Sequence, residues 1–192
     1  AEVVGDFDGD GNPDIVVGSN GAGVVSLFRN ITPQGSASIS FTTSSFTIPA
    51  VSNAVVGAIA ADFDGDGKLD LAFTDENTGN GRIHVYRNIS TSGSMSFTFA
   101  TTINLGITTS DPFGLAAGDL DKDGKPDLVA VYSLSSTLSV IRNTSTSGTI
   151  SFSAPNNSVS MPAGSTAVAI GDVDGDGRVD VVAAQSTGNT IT

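Results

Sequence analysis

Short apolar stretches, separated by Gly, Asn, Asp and Ser, run along the whole chain and predict β-strands. A largely apolar stretch precedes an acidic loop and another follows it, as expected for strands covered on both faces. The preceding stretches are residues 56–61, 113–118 and 166–171. The following stretches are residues 15–17, 71–73, 128–130 and 181–183. These segments predict the two inner strands of a repeated unit.

Two further stretches in each unit alternate polar and apolar residues, as half-exposed strands do. The third covers residues 25–30, 83–88 and 138–143, and ends each time in Arg-Asn. The fourth covers residues 39–41, 95–97 and 150–152, each after a turn rich in Ser, Thr and Gly. No window of helical length keeps a 3.6-residue period without a Gly or a turn cluster interrupting it. Each unit therefore contains four short strands.

The units repeat, because successive acidic loops begin 56, 57 and 53 residues apart. A period of this length indicates a propeller or a repeat array, whereas a β-sandwich would not explain near-copies. The sequence predicts an all-β fold of four-stranded antiparallel propeller-type blades in tandem. We expect one array over residues 1–192, with blades at about 1–50, 51–106, 107–162 and an incomplete 163–192.

About three and a half blades result, since Ile191 and Thr192 align with the start of a third strand. A closed propeller needs roughly four to eight blades. The array is therefore expected to be part of a β-propeller or an open array. Three explanations stay open: a fragment of a longer chain, a ring completed by a second chain, or an open array that polymerises edge to edge.

Charge is sparse and one-sided, with 8 basic and 20 acidic residues giving a net charge of −12. This balance argues against nucleic acid and anionic membrane surfaces as partners, because both attract Lys and Arg. Sixteen of the acidic residues lie in the four loops, so the acidity indicates ligand charge. Cysteine is absent, which excludes disulfides and thiolate metal sites.

Each loop has the pattern Asp-x-Asp-x-Asp-Gly-x-x-Asp, which predicts one Ca²⁺ per loop and four in all. Positions 1, 3, 5 and 9 supply carboxylates, and position 7 supplies its backbone carbonyl. The predicted ligands are Asp6, Asp8, Asp10, Asn12 and Asp14; Asp62, Asp64, Asp66, Lys68 and Asp70; Asp119, Asp121, Asp123, Lys125 and Asp127; and Asp172, Asp174, Asp176, Arg178 and Asp180. Only oxygen donors are available, which favours Ca²⁺ over zinc or copper, and Mg²⁺ prefers a smaller shell with retained waters.

Two other calcium motifs and one metal-free alternative fit these loops poorly. An EF-hand needs Glu at position 12, where this chain has Val17, Phe73, Ala130 and Ala183. Calcium β-rolls repeat every nine residues. A solvated acidic turn, in which Asp caps its own backbone, explains one copy but not four with the same carboxylates. Position 6 is Gly in every copy, which predicts a turn with positive φ.

The blocks resemble the FG-GAP repeat and its bacterial VCBS-type relatives, the repeats of integrin α-subunit propellers. The third copy is nearest, with Phe113-Gly114, then Gly118-Asp119, then the loop to Asp127. The resemblance covers essentially the whole chain. It implies a Ca²⁺ loop between the first and second strands of a blade, a secreted or surface location, and a role in adhesion or ligand display. Two copies depart from the Phe-Gly pair of the family pattern, since they have Val56-Gly57 and Thr166-Ala167. A further departure is Lys122, which replaces Gly at position 4 of the third loop. We expect Lys122 to weaken its own site modestly.

The remaining polar residues point to no catalytic set. His84 is the only histidine and is expected to be a solvated strand residue. Arg29, Arg87 and Arg142 form a ligand-facing row or, as we prefer, hydrogen-bond locally and close a turn. Asn30, Asn88, Asn143 and Asn156 lie in Asn-x-Ser/Thr sequons but are read as turn formers. Asp75, Glu76 and Asp111 are expected to be surface charges.

The sequence therefore predicts a non-enzymatic, calcium-stabilised β-propeller repeat region of a secreted or cell-surface protein. Its role would be adhesion, ligand display or extracellular assembly. The expected partner is a protein or glycan ligand at the cell surface, or copies of the chain itself. Two alternatives stay open: a structural subunit of a homo-oligomeric ring or filament completed by strand or blade pairing, and an accessory non-catalytic domain of a secreted hydrolase.

Overall fold

The fold was analysed in a computed structural model, which describes residues 1–19, 23–48, 54–76, 81–108 and 110–186. These residues form strands and turns without a helix, so none of them forms a helix able to span a membrane. The strands are β1 (Glu2–Gly5), β2 (Asp14–Gly18), β3 (Val24–Asn30), β4 (Phe41–Thr47), β5 (Ala54–Ala61), β6 (Asp70–Glu76), β7 (Arg82–Asn88), β8 (Phe97–Asn104), β9 (Pro112–Gly118), β10 (Asp127–Tyr132), β11 (Thr137–Ile141), β12 (Asn156–Ser160), β13 (Ser165–Gly171) and β14 (Asp180–Gln185).

The strands form four antiparallel sheets in tandem, which confirms the predicted all-β, propeller-type organisation. Sheet orders are β1-β2-β3-β4, β5-β6-β7-β8 and β9-β10-β11-β12, followed by the pair β13-β14. We call these blades 1 to 4. Each blade is a meander of sequence neighbours, and no sheet closes on itself within the described residues. The Ile191-Thr192 segment predicted to start a further strand lies outside the described residues.

The core lies between the blades, because neighbouring sheets pack face to face. Between blades 1 and 2, Val25 and Leu27 of β3 join Phe73 and Tyr86 of the next blade. Between blades 2 and 3, Ile83 and Val85 of β7 join Tyr132 and Ile141 in the same way. A smaller cluster joins β10 and β11 to β13 and β14. Because side chains alternate along a strand, a strand of a middle blade such as β7 packs against the preceding blade on one face and against the following blade on the other.

The glycine at the second position of the Phe-Gly segment, which is Gly57 in blade 2 and Gly114 in blade 3, allows the first strands of neighbouring blades to approach closely. A Cβ atom on Gly57 would lie 2.8 Å from the carbonyl oxygen of Phe113, and one on Gly114 would lie 3.2 Å from that of Thr166. A side chain at either position would push the blades apart. Ala167 occupies the equivalent position in blade 4 and is exposed.

Two strand predictions are wrong in detail. The fourth strands begin at Phe41, Phe97 and Asn156, so they lie later than the predicted segments, and Phe152 forms only an isolated bridge with Asn143. The third strand of blade 2, β7, is buried on most of its length and not half-exposed. Burial on both faces follows because blades 1 and 3 cover it from opposite sides.

Candidate metal centre

The four acidic loops occupy the same place in every blade, between its first and second strands. We call them loop 1 (residues 6–14), loop 2 (62–70), loop 3 (119–127) and loop 4 (172–180). The ninth residue of each loop is also the first residue of the second strand: Asp14, Asp70, Asp127 and Asp180. A rigid hairpin therefore holds both ends of each loop.

Left-handed backbone at positions 4 and 6 folds each loop tightly. Position 6 has φ between 80° and 89° in the four copies, which confirms the predicted role of its glycine. Position 4 is Gly9, Gly65 and Gly175 in three copies, with φ of 73°, 74° and 78°. In the other copy Lys122 adopts φ 64°, the only positive φ of a non-glycine residue in the described part of the chain. This conformation is costly for a residue with a Cβ.

The tight turn directs backbone N–H groups at the first carboxylate. In loop 1, Asp6 Oδ1 accepts hydrogen bonds from the N–H of Gly9 at 2.8 Å and of Asp10 at 3.1 Å. Its Oδ2 accepts one from Gly11 at 2.9 Å. Asp62 and Asp172 repeat all three bonds. The position 1 carboxylate therefore organises the loop as well as offering oxygen ligands.

Carboxylate oxygens converge in all four loops, within 4.8 Å of one another in each group. The groups are Asp6, Asp8 and Asp10; Asp62, Asp64 and Asp66; Asp119, Asp121 and Asp127; and Asp172, Asp174 and Asp180. Three carboxylates this close repel one another unless cations or N–H groups compensate them. An all-oxygen set of this kind suits a hard cation such as Ca²⁺, whose charge would supply that compensation. The structure thus brings together three of the four predicted carboxylates in each loop.

The carboxylate outside the group differs between the loops. In loops 1 and 2 it is the position 9 residue, Asp14 or Asp70, and in loops 3 and 4 it is the position 5 residue, Asp123 or Asp176. The predicted position 7 backbone ligands, at Asn12, Lys68, Lys125 and Arg178, stay predictions. Their N–H groups donate to the position 5 carboxylate, at 2.8 to 3.0 Å in the four loops.

The position 9 aspartate ties the loop to the third strand. Asp70 Oδ2 accepts from the N–H of Phe63 at 3.0 Å, and its Oδ1 accepts from the N–H of Asn88 at 2.8 Å. Asp14 and Asp127 repeat this pair of bonds. All three side chains are buried. Burial raises the pKa of each, that of Asp70 to about 6.

An arginine from the third strand binds the carboxylates at positions 3 and 5. Arg87 Nε donates to Asp64 Oδ2 at 2.5 Å, and one terminal NH₂ group donates to Asp66 Oδ2 at 2.7 Å. Arg29 does the same with Asp8 and Asp10, and Arg142 with Asp121 and Asp123. The preferred interpretation of a turn-closing local contact is therefore wrong, because each arginine reaches about twenty residues back along the chain. These bonds raise the pKa of the three guanidinium groups.

The same ion pairs affect the acids. The pKa of Asp121 is held below its usual value, first by the hydrogen bond from Arg142. The pKa of Asp10 is also lowered, first by the N–H of Asn12 and in part by Arg29. Arg29 and Arg142 therefore favour the ionised form of one carboxylate each in loops 1 and 3, although one guanidinium opposes four carboxylates.

The asparagine after the arginine joins consecutive loops. Asn88 Nδ2 donates to the carbonyl of Leu69 in loop 2 at 2.9 Å and to that of Phe7 in loop 1 at 2.8 Å. Asn143 bonds Pro126 and Phe63 in the same way. Both asparagines are buried, and each Oδ1 accepts from the N–H two residues on. The turn-forming interpretation of these two sequons is confirmed, and burial leaves neither side chain exposed for glycosylation.

The following blade also covers the preceding loop. The N–H of Gly93, in the turn before β8, donates to Asp8 Oδ2 at 3.0 Å. In loop 2, Asp62 and Asp64 line a cleft of about 660 Å³ together with Lys125 and residues 145–147 of blade 3. Asp8 and Asp64 are accordingly buried, whereas Asp121 and Asp174 are exposed.

Lys122 directs its ammonium group at the next loop and not at its own. Its Nζ donates to the carbonyl oxygen of Gly177 in loop 4 at 2.7 Å. The predicted weakening of loop 3 rested on a cation beside the ligands of that loop, so its premise is wrong. Lys122 instead adds a link between loops 3 and 4.

A buried polar cluster in blade 2 was missed by the sequence analysis. Asp75 is fully buried, and its Oδ2 pairs with Arg82 at 2.8 Å and lies 3.4 Å from His84 Nε2. His84 is 3% exposed, and its Nδ1 lies 3.0 Å from Thr102 Oγ1. Burial lowers the pKa of His84, and Asp75 opposes this shift. The predictions of a surface Asp75 and a solvated His84 are therefore wrong, because β7 is covered on both faces.

The other two predicted surface charges differ from Asp75. Asp111 is half-buried, and its Oδ1 is buried with no hydrogen-bond partner among the described residues. The side chain of Glu76 lies outside the described residues. In blade 3 the positions of Asp75, His84 and Thr102 hold uncharged side chains. These are Tyr132, Ser139 and Asn157, which hydrogen-bond in a chain.

Tandem antiparallel blades, each with an oxygen-rich loop between its first two strands, define a propeller-type repeat protein whose loops could hold metal ions. The family model described as FG-GAP-like repeat matches the chain three times, over residues 6–73, 62–130 and 121–183. The chain therefore belongs to the FG-GAP-like repeat family, and its loops fit a calcium-binding repeat region. This family is typically a non-catalytic repeat domain. No curated protein matches the chain.

Proposed function

We propose that the chain is a calcium-stabilised repeat region of a secreted or cell-surface protein, which acts in adhesion, ligand display or extracellular assembly. The observation that supports it best is the convergence of three carboxylates in each of four loops. Ca²⁺ would compensate charge that one guanidinium in each of loops 1 to 3 leaves largely unopposed. The residues that would hold it are the four aspartates of each loop, together with the position 7 carbonyl.

Calcium would stabilise the contacts between blades as well as each hairpin. Loop 1 is bonded to blade 2 through Asn88 and Gly93, and loop 2 to blade 3 through Asn143. A loop that is fixed by metal therefore holds the acceptor groups of the next blade in place. The partner is proposed to be a protein or glycan at the cell surface, or another copy of the chain.

An extracellular location agrees with millimolar Ca²⁺, which suits sites of modest affinity. Bound Ca²⁺ would supply the stabilisation that a chain without cysteine cannot obtain from disulfides.

The deciding experiment is thermal unfolding of the metal-stripped chain with added CaCl₂ and with EDTA. Binding only to the folded state raises the melting temperature, and the unfolded chain gains nothing. We expect a rise of more than 10 °C in millimolar Ca²⁺ and a much smaller one in Mg²⁺. Equal melting temperatures in Ca²⁺ and EDTA would refute the calcium role. Binding of the calcium-loaded chain to cell-surface extracts or glycan arrays then tests the adhesion role separately.

A further inference from the structure

A continuous path of hydrogen bonds joins the predicted metal ligands of loops 1 and 2. The N–H of Phe7 donates to Asp14 Oδ2 at 3.1 Å, and the carbonyl of Phe7 accepts from Asn88 Nδ2 at 2.8 Å. The backbone N–H of Asn88 in turn donates to Asp70 Oδ1 at 2.8 Å. One phenylalanine and one asparagine therefore connect the position 9 aspartates of the two loops.

The same path continues from loop 2 to loop 3. The N–H of Phe63 donates to Asp70 Oδ2 at 3.0 Å, and the carbonyl of Phe63 accepts from Asn143 Nδ2 at 2.9 Å. The N–H of Asn143 donates to Asp127 Oδ1 at 2.8 Å. Asp70 belongs to both halves of the path, since one of its oxygens bonds toward loop 1 and the other toward loop 3. Three predicted ligands in three blades therefore lie on one run of bonds.

Every residue of this path is at most 2% exposed. The residues are Phe7, Asp14, Phe63, Asp70, Asn88, Asp127 and Asn143. Buried polar groups cannot exchange their partners for water without a cost, so a displacement at one bond is passed on to the next. Hydrogen bonds in a chain also polarise and strengthen one another. The path can therefore transmit the position of one aspartate to the next.

A second connection joins loops 1 and 2 through the turn that follows β7. Lys68 Nζ of loop 2 donates to the carbonyl of Ser90 at 2.7 Å, and the N–H of Ser90 donates to Asn88 Oδ1 at 2.8 Å. At the end of this turn, the N–H of Gly93 donates to Asp8 Oδ2 of loop 1 at 3.0 Å. No equivalent pair of bonds joins loops 2 and 3 in the part of the chain that the structure describes. Loops 1 and 2 therefore have two connections, and loops 2 and 3 have one.

We propose that loops 1, 2 and 3 bind Ca²⁺ with positive cooperativity, and that Asn88 and Asn143 carry the coupling between neighbouring sites. A cation that fixes Asp70 would also fix the two residues that bond it, and through them the loops on either side. Those loops then lose less conformational freedom when they bind in turn, so their affinity is higher. This inference rests on the proposed calcium role and adds how neighbouring sites respond to one another.

The test is an NMR titration of the metal-stripped whole chain with CaCl₂, which follows each loop separately. Gly11, Gly67 and Gly124 each donate their N–H to the position 1 carboxylate of their own loop, so their amide signals report on loops 1, 2 and 3. We expect the three curves to rise together with a Hill coefficient of about 1.5, whereas independent sites give unity. The titration is done in about 0.15 M KCl, which screens repulsion between ions bound at exposed sites.

Removal of one site measures the coupling without altering the path. Asp62→Asn removes the position 1 ligand of loop 2, so that loop should bind Ca²⁺ poorly. Coupling is reciprocal, and loops 1 and 3 should therefore bind about fivefold more weakly in this variant although their own ligands are unchanged. The signals of Gly11 and Gly124 measure both affinities.

A matched pair of variants locates the coupling in the path. Asn88→Ser keeps the backbone bond to loop 2 but loses the side-chain bond to Phe7, and should lower the Hill coefficient of loop 1 toward unity while loops 2 and 3 stay coupled. Asn30→Ser is the control, because the side-chain amide of Asn30 donates to Pro13 of its own loop, and its loss should leave all three curves steep. If Asn88→Ser does not fold, the wild-type and Asp62→Asn curves decide by themselves.

Two results would overturn the proposal. One is a set of wild-type curves with Hill coefficients of unity or less, and the other is an unchanged affinity of loops 1 and 3 in Asp62→Asn. Neither result alters the rise in melting temperature expected with Ca²⁺. Equal melting temperatures in Ca²⁺ and EDTA would instead refute the calcium role itself, so the two proposals fail separately.

Discussion

Loops 2 and 4 have nearly the same sequence but different surroundings. In loop 2, Asp70 is fully buried and accepts two backbone bonds, and Arg87 binds Asp64 and Asp66. In loop 4, Asp180 is half-buried with one such bond, and Asp174 is exposed. The turn itself is the same, since positions 4 and 6 have positive φ in both. The motif therefore determines the turn, while neighbouring strands determine burial and electrostatic support.

The largest effect is expected on removal of the asparagine that joins loops 1 and 2. Asn88→Ala leaves the buried carbonyls of Phe7 and Leu69 without their donor, and should lower the free energy of unfolding by about 4 kcal/mol. Asn30 is the matched control, because it is half-buried, its Oδ1 accepts from the N–H of Thr32, and among the described residues its Nδ2 donates to Pro13 alone. Asn30→Ala should cost about 1 kcal/mol. Urea denaturation measures both, and equal losses would contradict the role of Asn88 as a link between blades.

The pH dependence of stability should reveal the buried carboxyl group of loop 2. Asp70 has a folded-state pKa of about 6, above its ordinary value of 3.8. The folded protein therefore holds this proton after the unfolded chain has lost it. The contribution of this bound proton to the free energy of unfolding is therefore fully present below about pH 4 and is lost as the pH rises to about 6. The change amounts to about 3 kcal/mol in the metal-free protein.

Urea denaturation in EDTA from pH 4 to pH 7 measures this contribution. Asp70→Asn should remove the corresponding part of the slope. Calcium reverses the direction, because a ligand carboxylate must be ionised, so Ca²⁺ affinity should rise as the pH increases through about 6. A wild-type slope that Asp70→Asn leaves unchanged would count against the buried, protonated carboxyl.

Removal of Arg87 should make the electrostatic environment of loop 2 more similar to that of loop 4. The guanidinium of Arg87 binds the carboxylates proposed to hold Ca²⁺, so it repels the cation. Arg87→Met should therefore raise the calcium affinity of that site by up to about tenfold while it lowers the melting temperature in EDTA. Arg142→Met is the graded control, because the Arg142 side chain is 56% exposed and that of Arg87 is 27% exposed. Calorimetric titration measures the affinities, and weaker binding by Arg87→Met would show that arginine supports the metal site.

The smallest effect concerns the one loop with a lysine at position 4. Lys122→Gly relieves the left-handed backbone but loses the bond to Gly177, and should raise the free energy of unfolding by less than about 1 kcal/mol. Gly65→Lys places the same strain in loop 2, where Gly65 has φ 74°. This variant should lower the free energy of unfolding by about 1 kcal/mol. Thermal melts of the two variants should shift in opposite directions. A destabilised Lys122→Gly would show that the bond between loops 3 and 4 outweighs the strain.

The sequence predicted the blades and the acidic turns well, because both depend on local pattern. Strand alternation, the period of the loops and the glycine at position 6 act over a few residues. The roles of Arg29, Arg87 and Arg142 were not predictable in this way, since their partners lie about twenty residues back. Their recurrence before asparagine was the available signal. The fourth strands were placed too early because the Ile-Ser-Phe-like segments resemble strands but lie in the connection from the third strand. Their serine carbonyls accept single backbone bonds there, as Ser40 does from the N–H of Ile31, before the regular ladder begins.

Local sequence patterns were sufficient to predict the all-β repeat, the tight loops and the oxygen donors that fit a calcium-binding repeat region. These follow from backbone conformation and donor type, which each residue carries with it. The burial of Asp75 and His84, and the bonds by which Asn88 and Asn143 join consecutive loops, became evident in the three-dimensional structure alone. These properties depend on which blade covers which face, and burial is set by neighbours that are distant in sequence.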